Sequence, residues 1–444
     1  MKAHAILVLG LWFVAACSGD DGSSSGNTGG AGGATGGTGG AAGGAGGAMG
    51  GASGATGGVG GASGGTGGGS GGASGGAGGT SAAGGTSAGG AGGTSGSGGA
   101  PSGKWSMGYY AMWESNAYPV SAIEWSGMTQ IAVSFYKPAK QAPLSILGGS
   151  AATAKQIVDA AHGAGVKAIA SIGGADSEAD FKAATSAANI DGFVSALVGL
   201  IDSPGYDGID IDWEPLAPSD HAAVIQIANK VRAARPNALM TIPVGYQNAN
   251  FPDDLSGYAG IAQVYDQLNV MSYGMSGAWS GWKSWHSSPL FHQEASTPVS
   301  IDSTLKLYAA AGVPKAKLGL GIGFYGLCYT PPVTGPAQAL QGSSIAASDG
   351  TMSYAHIMGQ YYDANARKWD AQAKAPYLTF ATGHAPDGCS FISYDDAESI
   401  AEKGSYLKSQ GYGGVIIWEI NEGYLASAAL KNPLLTAVHD SILK

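Results

Sequence analysis

Asp207-Gly208-Ile209-Asp210-Ile211-Asp212-Trp213-Glu214 alternates carboxylates with bulky apolar side chains. A β-strand has a side-chain period of two. Asp210, Asp212 and Glu214 therefore share one face, and Ile209, Ile211 and Trp213 the other. The apolar face suits packing against helices. The acidic face must then look into an enclosed space, which a closed parallel barrel provides. The surrounding sequence agrees. Strand-like apolar runs at 106–112, 130–135, 166–171, 208–213, 239–244, 267–272, 317–324 and 415–418 alternate with helix-like stretches such as 151–163 and 221–235. Eight such units predict an α/β fold, a (β/α)8 TIM barrel.

Three neighbouring carboxylates cannot all be ionised cheaply away from water. Their pKa values must be pushed apart, which is the arrangement an acid–base catalyst needs. A hydrogen-bonded core residue accounts for one buried aspartate, but poorly for three on one interior face. Glu214 is last on the strand and reaches furthest toward the C-terminal mouth, where barrel active sites lie.

The strand spacing breaks once. The stretch between Phe324 and Val415 is too long for one crossover helix, so a small α+β insertion is expected over about 326–391, with a helix at 354–369. Cys328 falls near its start and Cys389 near its end. In an exported chain such a pair is expected to be bridged, which would pin the insertion at its base; two buried thiols are the alternative. No Cys/His spacing resembles a metal site, and neither a metal nor a cofactor is expected. The net charge of −10 argues against nucleic acid or anionic membrane as partners. A monomer is expected.

Residues 104–444 form the one globular domain. The 444-residue chain opens differently. Lys2 precedes an apolar run, 5–16, too short to span a bilayer comfortably. It ends Val14-Ala15-Ala16-Cys17, which resembles the bacterial lipobox, so residues 1–17 read as an export signal with Cys17 lipidated. An ordinary signal peptide cleaved near Ala16 is the alternative. Residues 18–103 are dominated by Gly, Ala, Ser and Thr, with too few large apolar side chains to offset the entropy of ordering. They read as a tether spanning roughly 50 Å root-mean-square. An outer-membrane or cell-surface lipoprotein, or one released outside the cell, is the expected location, with the lipid as the only membrane contact.

The run 207–214 resembles the signature of glycoside hydrolase family 18. Other segments are similar to that family too: Gly108-Tyr109-Tyr110 with Trp113, Ser134-Phe135, Ser171-Ile172-Gly173-Gly174, 391–396 and Gly413-Gly414-Val415-Ile416-Ile417-Trp418. The resemblance implies hydrolysis of chitin or N-acetylglucosamine oligosaccharides, endo-acting and retaining, through the substrate's own acetamido group and an oxazolinium intermediate. By the same resemblance Glu214 is the proton donor and Asp212 orients the acetamido N–H. Asp210 shares a proton or hydrogen bond with Asp212, and Ser171 bonds toward Asp210. Tyr273 donates to the acetamido oxygen, Trp418 floors the reacting sugar's site, and Tyr109 lines its wall. Phe135, Gly173, Gly174, Trp213, Met271, Trp279 and Tyr325 complete the expected substrate-binding set, with Trp282 and Trp285 in the same aromatic-rich loop as Trp279. His286 and His292 are expected to be surface or loop-anchoring residues.

Two positions depart from or qualify the pattern. The common family form at the sixth strand is Met-x-Tyr-Asp, whereas here Met271-Ser272-Tyr273 is followed by Gly274. Pro215 after Glu214 either orients the acid or simply ends the strand. An endo-β-N-acetylglucosaminidase acting on N-glycan cores and a non-catalytic chitin-binding lectin are the competing readings. The presence of Glu214 weighs against the second.

Overall fold

The computed structural model describes residues 103–139 and 144–444. The export signal, Cys17 and the Gly-rich segment through residue 102 lie outside the described residues. The strands are β1 (Trp105–Ala111), β2 (Gln130–Lys137), β3 (Ser145–Ile146), β4 (Lys167–Gly174), β5 (Gly208–Trp213), β6 (Leu239–Gly245), β7 (Gln267–Met271), β8 (Leu318–Gly323), β9 (Tyr325–Tyr329), β10 (Ile345–Ser353), β11 (Arg367–Asp370), β12 (Ala375–His384), β13 (Cys389–Ser393) and β14 (Gly414–Trp418). The α-helices are α1 (Ala151–Gly163), α2 (Glu178–Ala184), α3 (Ile190–Asp202), α4 (His221–Ala234), α5 (Tyr258–Val264), α6 (Ile301–Ala310), α7 (Tyr354–Gln360), α8 (Ala397–Gln410) and α9 (Pro433–Val438).

Eight parallel strands run β1-β14-β8-β7-β6-β5-β4-β2, and β2 pairs with β1 to close the barrel. The short β3 adds antiparallel to the far end of β2. Short 3₁₀ turns connect β1 to β2 where a helix would otherwise stand. Side-chain alternation divides the core into two clusters. Ile209, Ile211 and Trp213 join Ile131, Val133, Ile172, Ile242, Leu320 and Ile417 in the large layer packed under the helices. Met107, Tyr109, Ala132, Ile169 and Ile416 form a small cluster inside the barrel, with Met271, Tyr273 and Trp418 against it.

Helix ends follow local chemistry. Ser150 caps α1 by accepting the Thr153 N–H, and Asp396 caps α8 by accepting from Glu398 and Ser399. Gly411 ends α8 at φ 78°, the left-handed conformation glycine adopts without penalty.

The insertion is an antiparallel sheet of order β10-β9-β13-β12-β11 carrying α7. Cys328 and Cys389 are bridged, with Cα atoms 5.2 Å apart. The helix expected over 354–369 stops at Gln360. Asp363 turns the chain there: its carboxylate accepts the Asn365 N–H at 2.8 Å, and its carbonyl accepts from Ala366 and Arg367. Residues 367–370 then pair with β12. Buried Lys403 on α8 joins the return segment to the barrel, donating to both Asp395 oxygens and to Ser288 Oγ.

Candidate active site

Register sets the acids among their partners. Ser171 of β4 lies beside Asp210, and Gly173 beside Asp212. Thr241 of β6 flanks Asp210 on the other side. Asp210 is fully buried and accepts three hydroxyl protons, from Ser171 at 2.9 Å, Tyr109 at 2.9 Å and Thr241 at 2.6 Å. Burial pushes its pKa up, and these three donors pull it back down. Asp210 is thus the member of the column best provided to hold negative charge.

Asp212 has no such donors. Burial first, then the charges of Glu214 and Asp210, hold its pKa well above the ordinary carboxylate value. Its carboxyl and that of Glu214 shift each other's pKa, whereas both oxygens of Asp210 are engaged by hydroxyl donors. The hydrogen bond expected between Asp210 and Asp212 is not made, because hydroxyl donors occupy both Asp210 oxygens. Oδ1 of Asp212 is buried without a protein partner, an acceptor left for a ligand.

Glu214 is pushed up to about 7, chiefly by burial and by the charges of Asp176 and Asp210, against the lowering effects of Asp212 and Lys137. Its peptide N–H donates to Ser177 Oγ at 3.1 Å, and Ser177 Oγ donates to the Asp212 carbonyl at 3.1 Å. The Glu214–Pro215 peptide is cis. Tyr273 faces Asp212 and Glu214, and burial keeps its phenol protonated, a donor.

An aromatic surface borders the acids. Trp418 stacks on Phe135 with centroids 5.6 Å apart, and Phe135 stacks on Trp113 at 6.0 Å. Tyr109 tilts against Trp418 at 5.6 Å, and Tyr325 meets Tyr273 edge-on at 6.1 Å. Met271 packs on the interior cluster. Gly173 and Gly174 have φ of 112° and 89°. A Cβ on Gly173 would lie 2.1 Å from the Asp212 carbonyl, and one on Gly174 would lie 2.8 Å from the Phe135 ring. They let the end of β4 press against the site.

Some expected members are elsewhere. Trp213 lies on the helix side, its ring parallel to Phe181 at 4.7 Å. The same period that turns Asp212 inward turns Trp213 outward, so it belongs to the core. Trp285 is 1% exposed and packs against His286 and His292, because the loop after β7 folds over it. Trp279 pairs edge-on with Trp282 at 4.7 Å. His286 is fully buried, not at the surface, and anchors the loop to Asp370 at 3.0 Å. Lys137, Asp176, Ser177 and Asp349 act on the site without a motif to mark them. Lys137 carries the one legible signal, a lone lysine two residues after Ser134-Phe135, at the end of β2. Among the described residues no group of three or more His, Cys, Asp or Glu is placed to hold a metal ion.

The chain belongs to glycosyl hydrolases family 18, whose family model matches residues 106–423. Chitinase A1 of Niallia circulans is 31% identical over 294 residues, covering 58% of this chain and 40% of that protein. A probable endochitinase of Caenorhabditis elegans is 29% identical over 288 residues, covering 57% and 44%. The chain thus spans less than half the length of those two relatives. The crystal structure of an Ostrinia furnacalis Group IV chitinase in complex with allosamidin shares the fold at TM-score 0.64 and 22% identity, covering 76% of this chain and 98% of that one.

Proposed function

We propose that the protein is an endo-acting chitinase that hydrolyses β-1,4 linkages between N-acetylglucosamine units with retention. The observation that carries this reading is the pairing of Glu214, pushed up to about 7, with a buried Asp212 whose Oδ1 lacks a protein partner. Glu214 gives its proton to the glycosidic oxygen as the C1–O bond breaks. The acetamido carbonyl oxygen of the same sugar closes on C1, giving the oxazolinium ion. Asp212 accepts the acetamido N–H and offsets the growing positive charge, while Tyr273 donates to the acetamido oxygen. Water then attacks C1, passing a proton to Glu214 and reopening the ring to the acetamide with retained configuration.

The same proposal includes export, a lipid on Cys17 and a monomeric chain held at the outer membrane or cell surface. Chitin hexamer, colloidal chitin and a high-mannose glycopeptide, each incubated with the full chain, test the activity. Internal cleavage of the hexamer to β-anomeric products supports it. Cleavage of the glycopeptide alone replaces it with an N-glycan-directed enzyme, and binding without products with a lectin. Metabolic palmitate labelling lost in Cys17→Ser tests the anchor.

A further inference from the structure

Asp349 comes from the insertion, far along the chain from the barrel acids, yet its Oδ1 accepts the indole N–H of Trp418 at 2.8 Å. Its surroundings are built to present it. The residue is 7% exposed. Its φ is 45°, in the left-handed region that non-glycine residues seldom occupy. It lies where the register of β10 against β9 slips between Ser348 and Ser353, and such irregularities re-aim a side chain. Thr351 holds the distortion: its hydroxyl donates to the Ser348 carbonyl at 2.7 Å and accepts the Ser348 N–H at 3.1 Å. Tyr273 and Tyr325 face Asp349 from the barrel side, and Glu419 and Glu422 from the loop after β14. Burial pushes its carboxyl up to about 6, against the lowering effect of the Trp418 hydrogen bond.

We propose that Asp349 is the positioning residue for Trp418, so that the insertion, through one hydrogen bond, sets the orientation of the aromatic platform on which the reacting sugar rests. The sugar part of this statement rests on the glycosidase reading above. Asp349 is the acceptor of the part-buried Trp418 indole N–H; losing it costs free energy and removes the bond that fixes the ring's tilt. Trp418 also stacks on Phe135, so a turned indole would disturb both faces of the binding surface.

Two variants separate the carboxylate from the unusual backbone. Asp349→Asn keeps an acceptor oxygen and tolerates the left-handed conformation. Asp349→Gly removes the acceptor and relieves the backbone. In the ¹⁵N-tryptophan-labelled full chain, the Trp418 indole resonance is assigned by its loss in Trp418→Phe and needs no substrate. It should titrate near the carboxyl value of about 6 in the wild type, stop titrating in the asparagine variant, and shift with faster solvent exchange in the glycine variant. With chitin hexamer, the glycine variant should raise KM roughly five- to tenfold with kcat within about twofold, and the asparagine variant should restore KM. A Trp418 resonance unchanged by Asp349→Gly, or a KM left at the wild-type value, would overturn the assignment. If the glycine variant does not fold, persistence of the titration in Asp349→Asn overturns it instead. A wild-type protein that cleaves no chitin oligosaccharide overturns the glycosidase reading alone, because the resonance still decides whether Asp349 holds Trp418.

Discussion

Glu214 and Asp212 influence each other's ionisation, and Lys137 acts on both. The acid must be protonated to act, so activity should be lost as pH rises through about 7. Lys137 lowers the pKa of both partners. Lys137→Met should therefore move the alkaline limb of kcat/KM to higher pH, and a limb that stays in place would detach Lys137 from the acid. Glu214→Gln should lower kcat by about 10²–10⁴-fold on a chitin oligosaccharide with unchanged circular dichroism. Residual activity near wild type would move the proton donor elsewhere. At this scale the sequence was informative where chemistry followed strand periodicity. Alternation turned Asp210, Asp212 and Glu214 inward, and the same rule already turned Trp213 toward the helices. Lys137, Ser177 and Asp349 reach the site from other segments, and only closure of the barrel and the insertion brings them there.

Elements were legible where apolar runs were long and capped. The limits of α1 coincide with the expected 151–163, while α7 is shorter than expected because Asp363 offers the backbone a turn in place of another helical turn. Sequence alone could not show that the loop after β7 would bury Trp285 and His286, since burial there depends on the insertion packing over it. Gly274 stands near the start of this loop at φ 59°, with Tyr325 Oη 2.9 Å from where a Cβ would stand. Aspartate is among the residues that tolerate this conformation best. Gly274→Asp should lower stability by about 1–3 kcal/mol and shift the acidic limb of the pH–rate profile. An unchanged profile would show that charge at this position does not reach the acids. Lys403 and Asp395 form a fully desolvated pair between α8 and the segment returning from the insertion. Lys403→Met should cost about 3–5 kcal/mol in denaturant unfolding, by leaving Asp395 without its partner.

Among the described residues, five buried carboxyls, Asp210, Asp212, Asp349, Glu419 and Glu422, and the half-buried Glu214 have pKa values raised chiefly by desolvation. The folded protein therefore binds protons that the unfolded chain has released. That stabilisation is complete below the unfolded-state values and is lost as pH rises through the folded-state ones, about 6 for Asp349 and about 7 for Glu214. The melting temperature should fall from mildly acidic to neutral pH. Both oxygens of Glu422 are buried without a partner, so Glu422→Gln should raise the neutral-pH melting temperature and flatten the slope; a steeper slope would contradict this. One feature of the architecture reaches beyond stability. A single residue, Phe324, separates β8 from β9, and β9 pairs directly with β13 before the chain returns toward α8 and β14. The insertion therefore leaves and rejoins the barrel along a common two-stranded stem. Beyond that stem the insertion still meets the barrel side through Asp349 on Trp418 and Asp370 on His286, so an exchange of its outer strands could re-tailor the cleft wall only if those two contacts were kept.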